Sequence, residues 1–539
     1  MMGRILTTLL LGAWAAAAQT GSIGGVVYDA GTGKPMADVN VFASPGAIRT
    51  TTDGHGHYAL RDLNPGQYTI HANAGQGFGA HGSKAIALNA GQDIETADFH
   101  LIRQGEISGK VLDENKDPVT GIAVSLIARE YALGTLRYVF ASGATTDDQG
   151  EYRLQRVEPG RAYLVMAGKE RRQLDAISNV PVNPKLRKPA LIPTYYPDTP
   201  SMEGAQPVVL RAGERREGMD IHMSRGPSYC IDGVLETGSG PGALRFFIGA
   251  RQPTSGTSGD GGFFTMPPGG LIGPDGKIRI CDLSPGEYQI TAVHLSQNPQ
   301  SAPLSFGSGV AAIADKDLHN VRVQARPLVH LSGEVLWAAT PPDKPVESKL
   351  SIWLEPLTRA QWQGETTQTE SSIPGEFSLP SLLMDDFKAR LHGLSGGMYL
   401  KDITYAGESI LREPLRLGGA VGNASMRIVL ARDGGFVTVK AADKDGNPVA
   451  DSYVLVMPAD SNSEASLADT LISGQTDQNG AYTSVALTPG KYYVLASTVA
   501  IDKSPESIGT LWRARSHATE TDVGPNATVQ LTLTPTTLN

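Results

Sequence analysis

The groups in this chain whose type and spacing could do chemistry are few and scattered. Gly393-Leu394-Ser395-Gly396-Gly397 has the spacing of a nucleophile elbow. That motif lifts a serine onto a sharp turn between a strand and a helix, where its hydroxyl can attack an acyl carbon. The residues that follow, Met398 to Ile403, alternate like a strand, so the segment reads as a glycine turn. His55 and His57 flank Gly56, and His71, His81 and His100 lie nearby. Two imidazoles two residues apart could share a divalent metal, but no neighbouring set of Cys, Asp and Glu completes a site, and solvated histidines are the better reading. Asp147-Asp148 and Asp443-Lys444-Asp445-Gly446 look like fragments of calcium loops. They lack regularly placed ligands and a closing glutamate, and hydrogen-bonded Asp turns account for them. No His-Glu-x-x-His segment occurs. The expectation is a protein without catalytic residues, metal or cofactor.

Exposed aromatic rings are the remaining candidates, because a sugar or a protein partner can stack on them. Trp337 and Trp353 sit among strand residues and are expected in the core, while Trp512 lies near the C-terminal end. Trp362 falls in a polar stretch from Arg359 to Thr369 and is the better platform. Tyr195-Tyr196, on a long loop, is the second ligand-binding candidate. The only two cysteines, Cys230 and Cys281, form an even pair. In an exported chain such a pair suggests a disulfide, with two buried free thiols as the alternative.

The elements that must position these residues are set by a phrase that recurs along the chain. It reads Thr52-Asp53-Gly54-His55-Gly56-His57-Tyr58-Ala59-Leu60, then Leu63-Asn64-Pro65-Gly66-Gln67-Tyr68. It returns as Thr146-Asp147 through Gly150-Glu151-Tyr152-Arg153-Leu154 with Pro159-Gly160, where Ala162 replaces the tyrosine. It returns as Gly276-Lys277-Ile278 with Leu283-Ser284-Pro285-Gly286-Glu287-Tyr288. It returns as Thr476-Asp477 through Gly480-Ala481-Tyr482 with Pro489-Gly490-Lys491-Tyr492. A drifted copy, Gly375-Glu376-Phe377-Ser378-Leu379, carries Met384-Asp385 in place of Pro-Gly. Self-similarity at this period fixes the architecture before any local feature does. The Asp can accept amides two residues on, the Gly supplies a positive φ, and Tyr and Leu two apart face one side of a sheet.

Each unit opens on a strand such as Gly25-Val26-Val27 or Gly109-Lys110-Val111 and closes on an alternating one such as Val529 to Leu533. Glycine (62) and proline (35) make up about 18% of the 539 residues, against an average near 12%, which suits short strands and frequent turns. The fold expected is all-β, a tandem array of about five Ig-like or prealbumin-like antiparallel β-sandwiches. Their bounds are 19–102, 103–225 with a long loop over 169–206, 226–326, a degenerate 327–432, and 433–539. A short helix near Ser463 to Ile472 would be a loop insertion. Residues 1–18 read as a signal peptide: Arg4, the apolar run Ile5 to Ala15, and Ala16-Ala17-Ala18 before a cleavage site. An uncleaved anchor is the alternative. The net charge of −9 is modest for this length and gives no reason to expect nucleic acid or an anionic membrane as partner.

The order Gly-x-Val-x-Asp, Gly-x-Pro-Val, Thr-Asp-x-x-Gly-x-Tyr, Leu-x-Pro-Gly-x-Tyr resembles the carboxypeptidase regulatory-like domain. This transthyretin-like sandwich is akin to the B-type repeats of collagen adhesins and to starch-binding-like folds. The resemblance is strong in units one, two and five, fair in three and weak in four. It implies a non-catalytic module that accompanies enzymes, transporters or surface stalks, with no catalytic residues to carry over. The functional expectation is an exported binding module for a carbohydrate or a protein at the cell envelope. A purely structural spacer, or an accessory module to a secreted hydrolase or outer-membrane transporter, is the alternative. No membrane insertion is expected once the signal is removed.

Overall fold

The computed structural model describes residues 20–168 (except 45, 47, 76, 79–81 and 133), 189–236, 243–250, 276–295, 304–339, 349–357, 365–417 and 425–538. The signal peptide, His81, the first half of the long loop and Trp362 lie outside these residues. The chain divides into two compact units, one formed chiefly by residues up to Arg103 and the other by those from Gln104 onward.

In the first unit, strand Gly21–Asp29 is the centre of one sheet. His57–Leu63 pairs with it antiparallel, and Asp93–Ile94 and Phe99–Leu101 pair parallel on its other edge. A second sheet runs in the order Arg49–Thr51, Asn40–Ser44, Gly66–Asn73, Gly82–Leu88. Period-two alternation sends Tyr58 and Leu60 inward, and a shift of register after Leu60 brings Leu63 to the same side, where they meet Val41, Ile70 and Phe99 in one apolar core.

The second unit repeats this plan four times, around the central strands Gly105–Leu112, Tyr229–Glu236, Val329–Trp337 and Phe436–Ala441. Each central strand has an antiparallel neighbour drawn from the repeated phrase and a closing strand that runs parallel. The sheets are antiparallel, as the sequence led us to expect, except for these closing strands. The closing strand starts from the opposite sheet and crosses the end of the sandwich, so it enters beside the first strand in the same direction.

The phrase is a set of local clasps. Its threonine, whose role the sequence did not reveal, is buried in every clear copy in which it occurs. Thr146 Oγ1 accepts the Ile122 amide at 2.9 Å and donates to the Val119 carbonyl at 2.7 Å. Thr52 and Thr476 bridge the same two positions, Val39 and Met36, and Ser452 and Val449. Asp147 Oδ1 accepts the amides of Gln149 and Glu151, and Asp53 those of His55 and His57. Gly150 has φ +69°, and a Cβ there would meet the Val111 carbonyl at 2.6 Å, so both conformation and space demand glycine. After Pro-Gly, the hydroxyls of Tyr68, Tyr288 and Tyr492 donate to the carbonyl four residues back. In the second sandwich Tyr163, one residue past Ala162, makes the equivalent bond to Glu158 O at 3.2 Å. The fourth sandwich puts Phe387 there, fully buried and without a hydroxyl.

The fifth sandwich carries two helices, α1 (Glu464–Thr470), capped by Ser463, and α2 (Pro505–Ala514), capped by Ser504. Ile472 begins the next strand, so the helix expected to Ile472 is shorter. Ile508, Leu511, Leu467 and Ala468 cover the outer side of the sheet at Leu455 and Met457. Tyr131 of the second sandwich joins that cluster. Its hydroxyl bonds Glu464 at 2.9 Å, its amide bonds the Lys503 carbonyl at 2.7 Å, and Arg129 pairs with Glu506 at 2.7 Å. The third and fourth sandwiches share a small cluster of Val293, Phe306, Leu328 and Leu383.

Candidate functional site

Strand Leu350–Pro356 turns Leu350, Ile352, Leu354 and Pro356 into the core of the fourth sandwich. Strict alternation therefore leaves Ser351, Trp353 and Glu355 on the outer face. Trp353 is 47% exposed there, which corrects the expectation that it packs in the core. Its cross-strand neighbours are Gln368 on strand Gln368–Ser371 and Arg390 on strand Asp386–His392. The His392 ring stands edge-on to the indole, 5.5 Å between centroids.

The polar groups around the indole are joined in ion pairs. Lys349 Nζ lies 3.5 Å from Glu370, at the open end of the face. Arg390 lies 3.7 Å from Glu355 and donates to Asp469 of α1 at 3.2 Å. Lys388 Nζ reaches the other oxygen of Asp469 at 3.2 Å and donates to the Arg412 carbonyl at 3.3 Å. Arg412 also pairs with Asp460 of the fifth sandwich. Exposure falls along the strands: 70% for Lys349, 34% for Arg390 and 8% for Lys388. Among the described residues the face is thus exposed at its Lys349 end and closed at its Lys388 end, where Asp469 of the fifth sandwich meets it. It can stack a flat apolar surface on the indole while guanidinium, carboxylate and amide groups hydrogen-bond at its rim.

The other candidates fall elsewhere. Tyr195 is 7% exposed and packs on Ile127, Leu164 and Met166, so its stacking faces are covered. Burial pushes its phenol up to about 12. Tyr196 is half-buried against the core of the second sandwich. The part of the long loop within the described residues is ordered by the short strands Ala190–Leu191 and Thr194–Tyr195, where sequence reading expected no secondary structure. Trp337 is partly buried against the fourth core, and Trp512 is partly buried on α2 with the Arg515 guanidinium 4.6 Å from its ring. Ser395 sits in a turn between strands Asp386–His392 and Tyr399–Tyr405, with no helix after it. His71 stacks on Phe42 and His100 on Tyr28. Among the described residues no three of His, Cys, Asp and Glu form a group that could hold a metal. Hydrogen bonds from the His57 and His55 amides hold the Asp53 carboxyl below its ordinary range. Cys230 and Cys281 are joined, S–S 2.00 Å, across neighbouring strands of the third sandwich.

These sheets define the class: a tandem array of Ig-like β-sandwiches. Residues 22–102, the first sandwich, match the family model of the carboxypeptidase regulatory-like domain. No curated protein matches the chain in sequence. Among solved structures, the chain is similar to the shaft pilin SpaA of Lactobacillus rhamnosus GG at 12% identity, covering 39% of this chain and 98% of that one, with a TM-score of 0.20. A Streptococcal ancillary pilin matches at 10% identity, covering 56% and 98%, with a TM-score of 0.18. The TIE protein of Bacillus anthracis matches at 9% identity, covering 93% and 75%, with a TM-score of 0.15. Likeness at this level says nothing about what the chain binds.

Proposed function

We propose that this chain is a non-catalytic, exported, multi-domain binding protein of the cell envelope, and that it binds carbohydrate on the outer face of its fourth sandwich. The observation that carries the reading is Trp353, a half-exposed indole on a rigid strand beside His392, rimmed by ion-paired polar side chains. The C–H face of a sugar ring is flat and apolar, and its hydroxyls need donors and acceptors at the edge. An indole that is half exposed offers on the order of 100 Å² to bury, about 2.5 kcal/mol at roughly 25 cal/mol per Å². Export rests on the N-terminal sequence, and no helix among the described residues is long and apolar enough to cross a membrane.

The test is calorimetric titration of the full chain with soluble oligosaccharides, repeated on Trp353→Ala. Loss of the indole should weaken binding by roughly 30- to 100-fold, since about 1.4 kcal/mol is tenfold. Failure of every sugar to bind at millimolar concentration would favour a structural spacer. The contacts that tie the second and fourth sandwiches to the fifth suit such a role.

A further inference from the structure

Charge and shape on the Trp353 face narrow the ligand beyond "carbohydrate". We infer that the site takes the terminal units of an uncharged sugar chain. The inference rests on the carbohydrate reading of this face. Lys349, Arg390 and Lys388 line it and are paired with the carboxylates Glu370, Glu355 and Asp469, and the Arg137 guanidinium of the second sandwich adds its charge beside Glu355. A uronate or sulfate bound over the indole would have to compete with a carboxylate already on each cation. It would also sit beside Glu355 or Glu370, and unfavourable like-charge neighbours of this kind are how a surface rejects a wrong ligand. A neutral sugar meets no such barrier. Its vicinal hydroxyls can donate to the carboxylates and accept from Arg390 and Gln368 without breaking a pair.

The wall sets the second half of the inference. Residues rise about 3.3 Å apart along a strand, so Trp353 and the row of Glu355 and Lys388 are separated by roughly 7 Å, little more than one sugar ring. At that row Lys388 and Asp469 are 8% and 13% exposed, where the carboxylate of Asp469 on α1 closes on the Lys388 ammonium and the Arg412 carbonyl accepts from it. A chain stacked on Trp353 can extend past His392 towards Lys349 but cannot continue the other way. An internal segment of a polymer needs both directions open, and a chain end needs only one.

The experiment uses the full chain with cello-oligosaccharides and xylo-oligosaccharides of graded length, and with oligogalacturonates as the acidic probe. Binding is read by calorimetry and by indole fluorescence. Neutral probes should bind, and molar capacity per gram of probe should fall in inverse proportion to chain length, as it must when each chain offers one end. Oligogalacturonates should bind at least tenfold more weakly (a difference of about 1.4 kcal/mol). Glu355→Gln should narrow that gap by weakening the barrier to anions. Capacity per gram independent of length would overturn chain-end recognition. Tighter binding of the acidic probe that is lost in Trp353→Ala would overturn the neutral ligand and leave the site standing. Binding of any probe that Trp353→Ala leaves unchanged would overturn the site itself, and with it the inference.

Discussion

Replacing Thr146 by valine tests whether the threonine of the repeated phrase holds the sandwich together through its hydroxyl. The swap keeps volume and β-branching and removes one oxygen. That oxygen accepts the Ile122 amide at 2.9 Å and donates to the Val119 carbonyl at 2.7 Å, in a side chain that is 4% exposed. Ile122 is itself 3% exposed, so its amide would be left buried without a partner. An unsatisfied buried amide costs about 1–3 kcal/mol, and the partly buried carbonyl adds about 1 kcal/mol. The new methyl group returns about 0.8 kcal/mol. The net expected loss is about 2 kcal/mol, or roughly a 30-fold rise in local opening. Hydrogen exchange by mass spectrometry on the full chain reads this directly in peptides spanning residues 119–126. Thr146→Ser keeps both bonds and gives up one methyl group, so its exchange should rise by no more than about fourfold. If serine is as damaging as valine, packing of the methyl group is what matters and the hydrogen-bond account is wrong. Unchanged exchange in the valine variant would refute it outright.

The other predictions concern the turns, the disulfide and the junction of the second and fifth sandwiches. Asp443 is held below its ordinary value of 3.8 chiefly by the Asn447 side chain and then by backbone amides. A carboxyl depressed in the folded state stabilises above its unfolded pKa and loses that contribution as pH falls through the folded one. The thermal transition of the fifth sandwich should therefore drop below about pH 4 in the native chain, and less in Asp443→Asn, by calorimetry at stepped pH. Cys230 and Cys281 close a separation of 51 residues, so reduction should cost the third sandwich up to about 4 kcal/mol. Alkylation of the unfolded, unreduced chain should label no thiol, and labelling of two would contradict the bond. Tyr131→Phe removes the hydrogen bond to Glu464 and should raise exchange in α1 severalfold, by about 1 kcal/mol for a partly exposed pair. No change in α1 even with Tyr131→Ala would mean that the contact does not hold the two sandwiches.

The fold was legible because the phrase combines turn chemistry with alternation, and both are local. Tyr58 and Leu60 two apart, with Gly56 before them, specify a strand and its inner face without reference to the rest of the chain. What lay beyond local pattern was missed. The closing strand Met426–Ala431 alternates the same way whether it pairs parallel or antiparallel, so its direction beside Val329–Trp337 was not readable. The threonine clasp was hidden because its partners, such as Val119 and Ile122, are distant in sequence from Thr146 and identical in type to ordinary strand residues. Helix α2 did leave a signal: Ser504-Pro505-Glu506 is a cap, a first-turn proline and a first-turn acid, with Ile508, Leu511 and Trp512 on one face. Its single short period was outweighed by the strands around it.

Trp353 shows why function is sought where the phrase departs from its pattern. In Leu350-Ser351-Ile352-Trp353-Leu354-Glu355 the apolar partners of the alternation are Leu, Ile and Leu, and the tryptophan falls in the polar register with Ser and Glu. A core tryptophan would have to sit in the other register, as its neighbours do, because a one-residue shift reverses every side chain. The register was therefore sufficient to place the indole outside, and residue type alone suggested the reverse. The face it occupies is built by the most drifted of the five copies, and at its far end Lys388 and Arg390 pair with Asp469 of a helix that no other copy carries among the described residues. The polar groups of the repeated phrase are consumed in its turns, so in the proposed function recognition rests on a side chain in the polar register and on the ion pairs that the fifth sandwich makes beside it.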